Sequence, residues 1–195
     1  MNLRKFGWLF FTTLLIGGVG GVLSGFFIGW AELTKSTASN FLVGSLMNLL
    51  FGATISIVAQ MGLFAYMTFN YMALSIFKSA SLWRNVQVFF ILFTFFDMVY
   101  LRYNTSSRGE SLWPYFIEPV CLLIVSVLVA YAKVRLTNPT AWVPTIFFMF
   151  VVTAIEWIPG LKEQEASSIL SMVIPLLACN AWQVLHLHRL TKKES

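Results

Sequence analysis

Hydrophobic residues run along this chain in long blocks, and most polar positions fall between the blocks. Six blocks stand out, at 8–30, 44–77, 83–103, 113–133, 142–157 and 168–188. A helix crosses a bilayer with ~20 apolar residues, and five of the six blocks reach that length. No segment shows the ~10-residue alternation of a membrane β-strand. Backbone groups in lipid must pair within their own segment, so the pattern predicts α-helices. The expected fold is all-α: a polytopic membrane bundle of six transmembrane helices, forming one domain over residues 1–195. The second block is longer than one crossing needs and predicts a tilted or projecting helix. The first follows Arg4 and Lys5 as a signal peptide would. Its apolar stretch is too long for that and no small-x-small site follows it convincingly, so a retained helix is expected.

Composition agrees with this reading. Of 195 residues, 58% are hydrophobic and 11% charged, and the mean hydropathy is +0.77. A soluble domain carries about a quarter charged residues and a fold this small cannot hide so much apolar surface from water. The charge also has a side. Arg4, Lys5, Lys78, Arg84, Lys133, Arg135, Arg189, Lys192 and Lys193 fall on one side of the six crossings. Lys35, Arg102, Arg108 and Lys162 fall on the other. Basic residues favour the cytoplasmic face, so the nine-residue side and both termini are expected in the cytoplasm of a cell-membrane protein. The net charge of +5 is then a topology signal, and no nucleic-acid footprint is read in it. Trp8, Trp30, Trp83, Trp113, Trp142 and Trp157 lie near block ends, where an interfacial aromatic belt is expected.

Against this apolar background the charged positions carry information. In "FFILFTFFDMVYLRY" Asp97 sits inside an apolar run that Arg102 closes. With the topology above, Asp97, Glu118 and Glu156 come from three helices to similar depths near the outer ends, with Arg102, Arg108 and Lys162 nearby in the chain. Glu118 begins a helix, where the dipole favours a negative charge, and Pro114 and Pro119 suit a helix start. Asp97 and Glu156 stand near helix C-termini, where the dipole disfavours them, and intramembrane carboxylates cost a few kcal/mol. Arg102 is therefore expected beside Asp97 or Glu156. Arg84, Gln87, Thr94, Asp97 and Asn104 are spaced to keep one side of the third helix. That face is expected to point into the bundle, either as a structural seam or as a ligand or proton site.

Other polar groups lie deeper. Gln60 and Asn70 are in the second block, and Asn180 and Gln183 share an inward face of the sixth. His186 and His188 are two apart, which separates their faces on a helix, so no metal site is expected. Cys121 and Cys179 show no CxxC spacing and read as small apolar residues. In "GGVGGVLSGFFIG", Gly17, Gly21, Gly25 and Gly29 recur every four residues. Such small-xxx-small spacing lets helices approach closely, within this bundle, in self-association or against another membrane protein.

No GxSxG, HExxH, P-loop or dinucleotide fingerprint is present, no catalytic triad is recognisable, and no cofactor is expected. Paired repeats and broken helices of a transporter are also missing from the pattern. The stretches "QMGLFAYMTFNYMALSIF", "LWRNVQVFFILFTFFDMVYLRY", "TNPTAWVPTIFFMFVVTAIEWIPGLK" and "IPLLACNAWQVLHLHRL" resemble the KbaA family of endospore-forming bacilli. They cover over a third of the chain. The family comprises integral membrane proteins that activate the KinB sensor-kinase pathway at the onset of sporulation. The resemblance implies a non-enzymatic activator with a KinB-like sensor histidine kinase as partner, and it assigns no role to any single residue. The alternative from the residues is an intramembrane small-ligand receptor, transporter or enzyme using Asp97, Glu118 and Glu156.

The charge asymmetry makes a topological prediction. Cysteines placed at Thr37, Ser107 and Gln164 are expected to react with an impermeant external thiol reagent in intact cells, and those at Ala80, Thr137 and Ser195 to be protected. Labelling of the second set would overturn the six-span, termini-inside arrangement.

Overall fold

The computed structural model describes residues 3–33, 38–105, 112–163 and 165–191. Lys35, Arg108, Lys192 and Lys193, the labelling positions Thr37, Ser107, Gln164 and Ser195, and the side chain of Trp30 lie outside the described residues. The described residues are helical apart from short connections, with no strand among them. The helices are α1 (Leu3–Leu33), α2 (Ala38–Phe77), α3 (Ala80–Thr105), α4 (Ile117–Leu136), α5 (Trp142–Phe147), α6 (Thr153–Leu161) and α7 (Ala166–Thr191). A 3-10 turn, Trp113–Phe116, leads into α4, and a π turn, Phe148–Val152, joins α5 to α6. Six helical stretches are long and apolar enough to cross a membrane, with the fifth running Pro139–Leu161 through the π turn. The helices outrun the apolar blocks because helical hydrogen bonding continues into flanking polar residues that the hydrophobic pattern does not mark.

The chain divides into two compact units, residues 1–61 with 165–195, and residues 62–164. In the first, α1 packs along α7 and meets α2 at its glycines. A Cβ at Gly17 would lie 2.6 Å from the Gly52 carbonyl oxygen, and one at Gly21 would lie 2.7 Å from the Gly52 Cα. A Cβ at Gly25 would collide with the Asn48 side chain. Gly29, the last of the stripe, is partly exposed. Beside this stripe, Gly20 accommodates Pro175 of α7, whose Cα would be 3.0 Å from an added Cβ. Such close backbone approach lets many weak van der Waals contacts form along the crossing. The buried hydroxyls of this unit return to their own helices, Thr13 Oγ1 donating to the Leu9 carbonyl at 2.7 Å and Ser24 Oγ to Gly21 at 2.9 Å. They contribute small volume without an unpaired donor.

In the second unit the fifth span is central, with α5 against both α3 and α4. Phe148, Met149 and Phe150 of the π turn are all 0% exposed. Three consecutive buried residues cover nearly the whole circumference of a helix, so this segment is enclosed by protein. Tyr66 of α2 packs on Phe147 and Phe148, and Phe95 of α3 stacks on Phe150. Trp83 sits among Phe69, Phe77 and Phe147, and its indole N–H donates to Asn70 Oδ1 at 2.8 Å. The aromatic-belt expectation is corrected for two tryptophans, Trp83 and Trp157. Trp113 is 80% exposed, but Trp83 is 3% and Trp157 4% exposed. Sequence position places a tryptophan near a helix end but not on a face, and Asn70 gives Trp83 a partner inside the unit.

The α1–α2 crossing generates a stability prediction. Gly21→Leu and Gly52→Leu place side chains against backbone that cannot swing aside, so each is expected to cost at least the ~1–3 kcal/mol of overpacking. Lower melting temperatures in detergent and reduced accumulation are the readouts. Gly44→Leu is expected to leave both unchanged, since nothing lies within 4 Å of a Cβ there.

Candidate functional site

Arg102 lies in the last turn of α3 and Glu118 in the first turn of α4. The Arg102 Nε is 2.7 Å from Glu118 Oε2, with side chains 11% and 22% exposed. The same guanidinium donates through Nη1 to the Leu161 carbonyl at 3.2 Å and the Glu163 carbonyl at 2.8 Å. One cation thus joins three chain ends. The last carbonyls of a helix have no intrahelical donors, and arginine both satisfies them and complements the negative dipole end. Glu118 faces the opposite, positive dipole end of α4. Both charges have the sign their helix ends favour.

Arg102 was expected beside Asp97 or Glu156, and the structure corrects this. Residues five apart on one helix point ~140° away from each other, so Asp97 turns aside from Arg102. Glu156 is buried, and its carboxylate occupies the space that a Cβ on Gly62 would fill. Gly62 drew no attention as sequence, although a glycine inside a helix costs ~1 kcal/mol relative to alanine and therefore marks a position with a spatial reason. The three carboxylates occupy three separate environments: Glu118 on Arg102, Glu156 on Gly62, and Asp97 on a groove.

That groove lies between α3 and the fifth span and has a volume of about 220 Å³. Thr94, Met98, Ala154, Ile155 and Ile158 line it with Asp97. Asp97 is exposed, and no hydrogen bond or ion pair joins it to a described residue. The inward polar face on α3 is corrected in part. Gln87 is fully buried and Thr94 partly buried, but Arg84, Asp97 and Asn104 are exposed. The polar positions wind around the helix, so that Asp97 lies ~80° and Asn104 ~100° round from Gln87. The side-chain amide of Gln87 has no hydrogen-bond partner among the described residues.

In the first unit, Asn180 and Gln183 of α7 are both 0% exposed. Gln60 Nε2 donates to the Phe10 carbonyl at 3.4 Å, and Trp182 Nε1 donates to Thr12 Oγ1 at 3.1 Å. Cys179 is buried, with its thiol 3.6 Å from the Thr13 carbonyl, while Cys121 is exposed on α4. The His186 ring lies 3.9 Å from that of Trp182, tilted by 36°, and 5.7 Å from Trp8. Its Nδ1 and that of His188 face carbonyls of their own helix, at 2.9 and 2.8 Å. Among the described residues no three His, Cys, Asp or Glu side chains gather as metal ligands would.

The KbaA family profile, described as KinB-signalling pathway activation in sporulation, matches residues 17–190. A KinB-signaling pathway activation protein of Bacillus subtilis (strain 168) is 37% identical over 190 residues, a span covering 94% of this chain and 96% of that protein. No solved structure matches the chain.

The Arg102 tie is testable by a double-mutant cycle. Removing one partner of a buried ion pair costs ~3–5 kcal/mol, and the partial exposure of Glu118 puts Arg102→Ala near ~3 kcal/mol. Thermal unfolding in detergent of Arg102→Ala, Glu118→Gln and the double variant is expected to show coupling above ~0.5 kcal/mol. The same cycle with Asp97→Asn is expected to be additive.

Proposed function

The chain belongs to the KbaA family, and from that membership we propose that it is a membrane-embedded, non-catalytic activator of a sporulation sensor-kinase pathway of the KinB type. The observation that carries this reading is the similarity to the Bacillus subtilis activation protein, which runs nearly end to end in both chains. Six helices of membrane-crossing length and composition support its placement in the cell membrane, and the basic-residue asymmetry supports cytoplasmic termini. Many apolar side chains face outward, among them Phe11, Leu15 and Phe27 at 67%, 66% and 81% exposure. Such faces suit lipid or another membrane helix.

The activator works by binding one conformation of the kinase's membrane region more tightly than another. A coupling of ~1–3 kcal/mol changes the active population severalfold. A catalytic or transport centre built on the three carboxylates fits less well, because each is held in its own surroundings and Glu118 is already engaged by Arg102.

The test is complementation. A Bacillus subtilis strain lacking its own activation protein is expected to recover KinB-dependent sporulation when this chain is expressed, and a constitutively active kinase is expected to remove the requirement. Failure to restore sporulation at normal protein abundance, or substrate turnover by the purified protein that the carboxylate variants abolish, would overturn the proposal.

A further inference from the structure

The Asp97 groove combines features that lipid alone does not satisfy. At a rise of ~1.5 Å per residue, the 26 residues of α3 span ~39 Å. Centred on a hydrocarbon core of ~30 Å, the helix overhangs by ~4–5 Å at each end. Asp97 is eight residues before Thr105, ~12 Å from the helix end and so ~7–8 Å inside the apolar layer. Arg102, three residues from the end, falls at the boundary, where it meets Glu118 and two carbonyls. Among the described residues Asp97 has no such company, and an ionised group at that depth normally has a partner or faces a water-filled space.

The groove gives the shape of the missing partner. Its floor includes the small residue Ala154, with Ile155 and Ile158 on the same helix, an arrangement of ridge and hollow that receives another helix. A volume of about 220 Å³ falls below the ~300–1,000 Å³ of small-molecule pockets and suits inserted side chains. A lipid headgroup amine belongs at the interface, above the depth of Asp97. A second copy of this chain offers little there, since the basic residue nearest that level, Arg102, is already held.

Building on the activator reading, we infer that the groove between α3 and α6 docks a membrane-spanning helix of the pathway kinase. That helix presents a basic side chain to Asp97. The carboxylate gives the contact its register, because a cation at matching depth relieves its desolvation, and the apolar walls give it area.

The experiment uses the full chain in native membranes together with the pathway's sensor kinase. A photoreactive residue replaces Ile155 on the groove, and in a separate variant Leu15 on α1. Crosslinking to the kinase is expected from Ile155. Asp97→Asn is expected to lower that crosslink and kinase activation by roughly tenfold, the scale of one interhelical polar contact in lipid, at unchanged protein abundance, with Asp97→Glu retaining most of both. Exchange of charges, Asp97→Lys with the facing basic residue of the kinase changed to Glu, is expected to restore activation. An Ile155 crosslink only to lipid or to a second copy, or an Asp97→Asn variant that crosslinks and activates normally, overturns the groove assignment. Kinase output in a strain lacking this protein separates the two levels. If output depends on the protein but the kinase is captured from Leu15 and not from Ile155, the activator reading stands and the groove assignment falls. If output is independent of the protein, the activator reading itself falls.

Discussion

A helix that ends beside its neighbours leaves carbonyl oxygens without donors, and in the second unit a single guanidinium supplies them. Arg102 reaches the end of α6 through two backbone carbonyls and the start of α4 through Glu118 while sitting on the last turn of α3. Lysine would not substitute well, because a point charge lacks the fork of donors that lets one side chain serve several acceptors. Beside that rim, the enclosed π turn of the fifth span is built from phenylalanine, methionine and valine.

The first unit solves the same problem of cohesion with almost no charge. Gly17, Gly21 and Gly52 bring two backbones closer than any side chain would allow, and Gly20 does the same for the ring of Pro175. Dispersion between closely spaced atoms is weak per pair but sums over the crossing. The two units therefore show two ways of holding helices together: one by removing side chains, the other by matching a few charges to helix ends.

The helices themselves were legible because lipid-length apolar blocks leave a one-dimensional signature. So was the glycine spacing, which is a property of one helix. What the spacing could not name was the opposing surface. Gly52 and Asn48 belong to another helix, and periodicity within α1 carries no information about them. The same limit explains the carboxylates. Depth along the chain put Asp97, Glu118 and Glu156 near one another, but contact also depends on azimuth and on which helices are neighbours. Arg102 met Glu118 because α3 ends where α4 begins, whereas Glu156 faced α2 at Gly62, a residue separated from it by most of the second unit's sequence. The π turn left no mark at all in the hydrophobic pattern, because a segment buried on every side has no polar face to reveal its pitch.

That π turn acts as a phase setter for the fifth span. A π turn takes up more residues than an α turn, and one residue corresponds to ~100° of rotation about the helix axis. Every side chain after Val152 is therefore aimed by the presence of that wider turn. Winding Phe148–Val152 at ordinary α pitch, with no residue removed, would swing α6 by about a quarter turn. Glu156 would leave the hollow at Gly62, and Ile155 and Ile158 would leave the rim they share with Asp97. The orientation of an entire helix end is in this sense encoded two turns away from it, in a stretch of chain that carries no polar atom beyond its backbone.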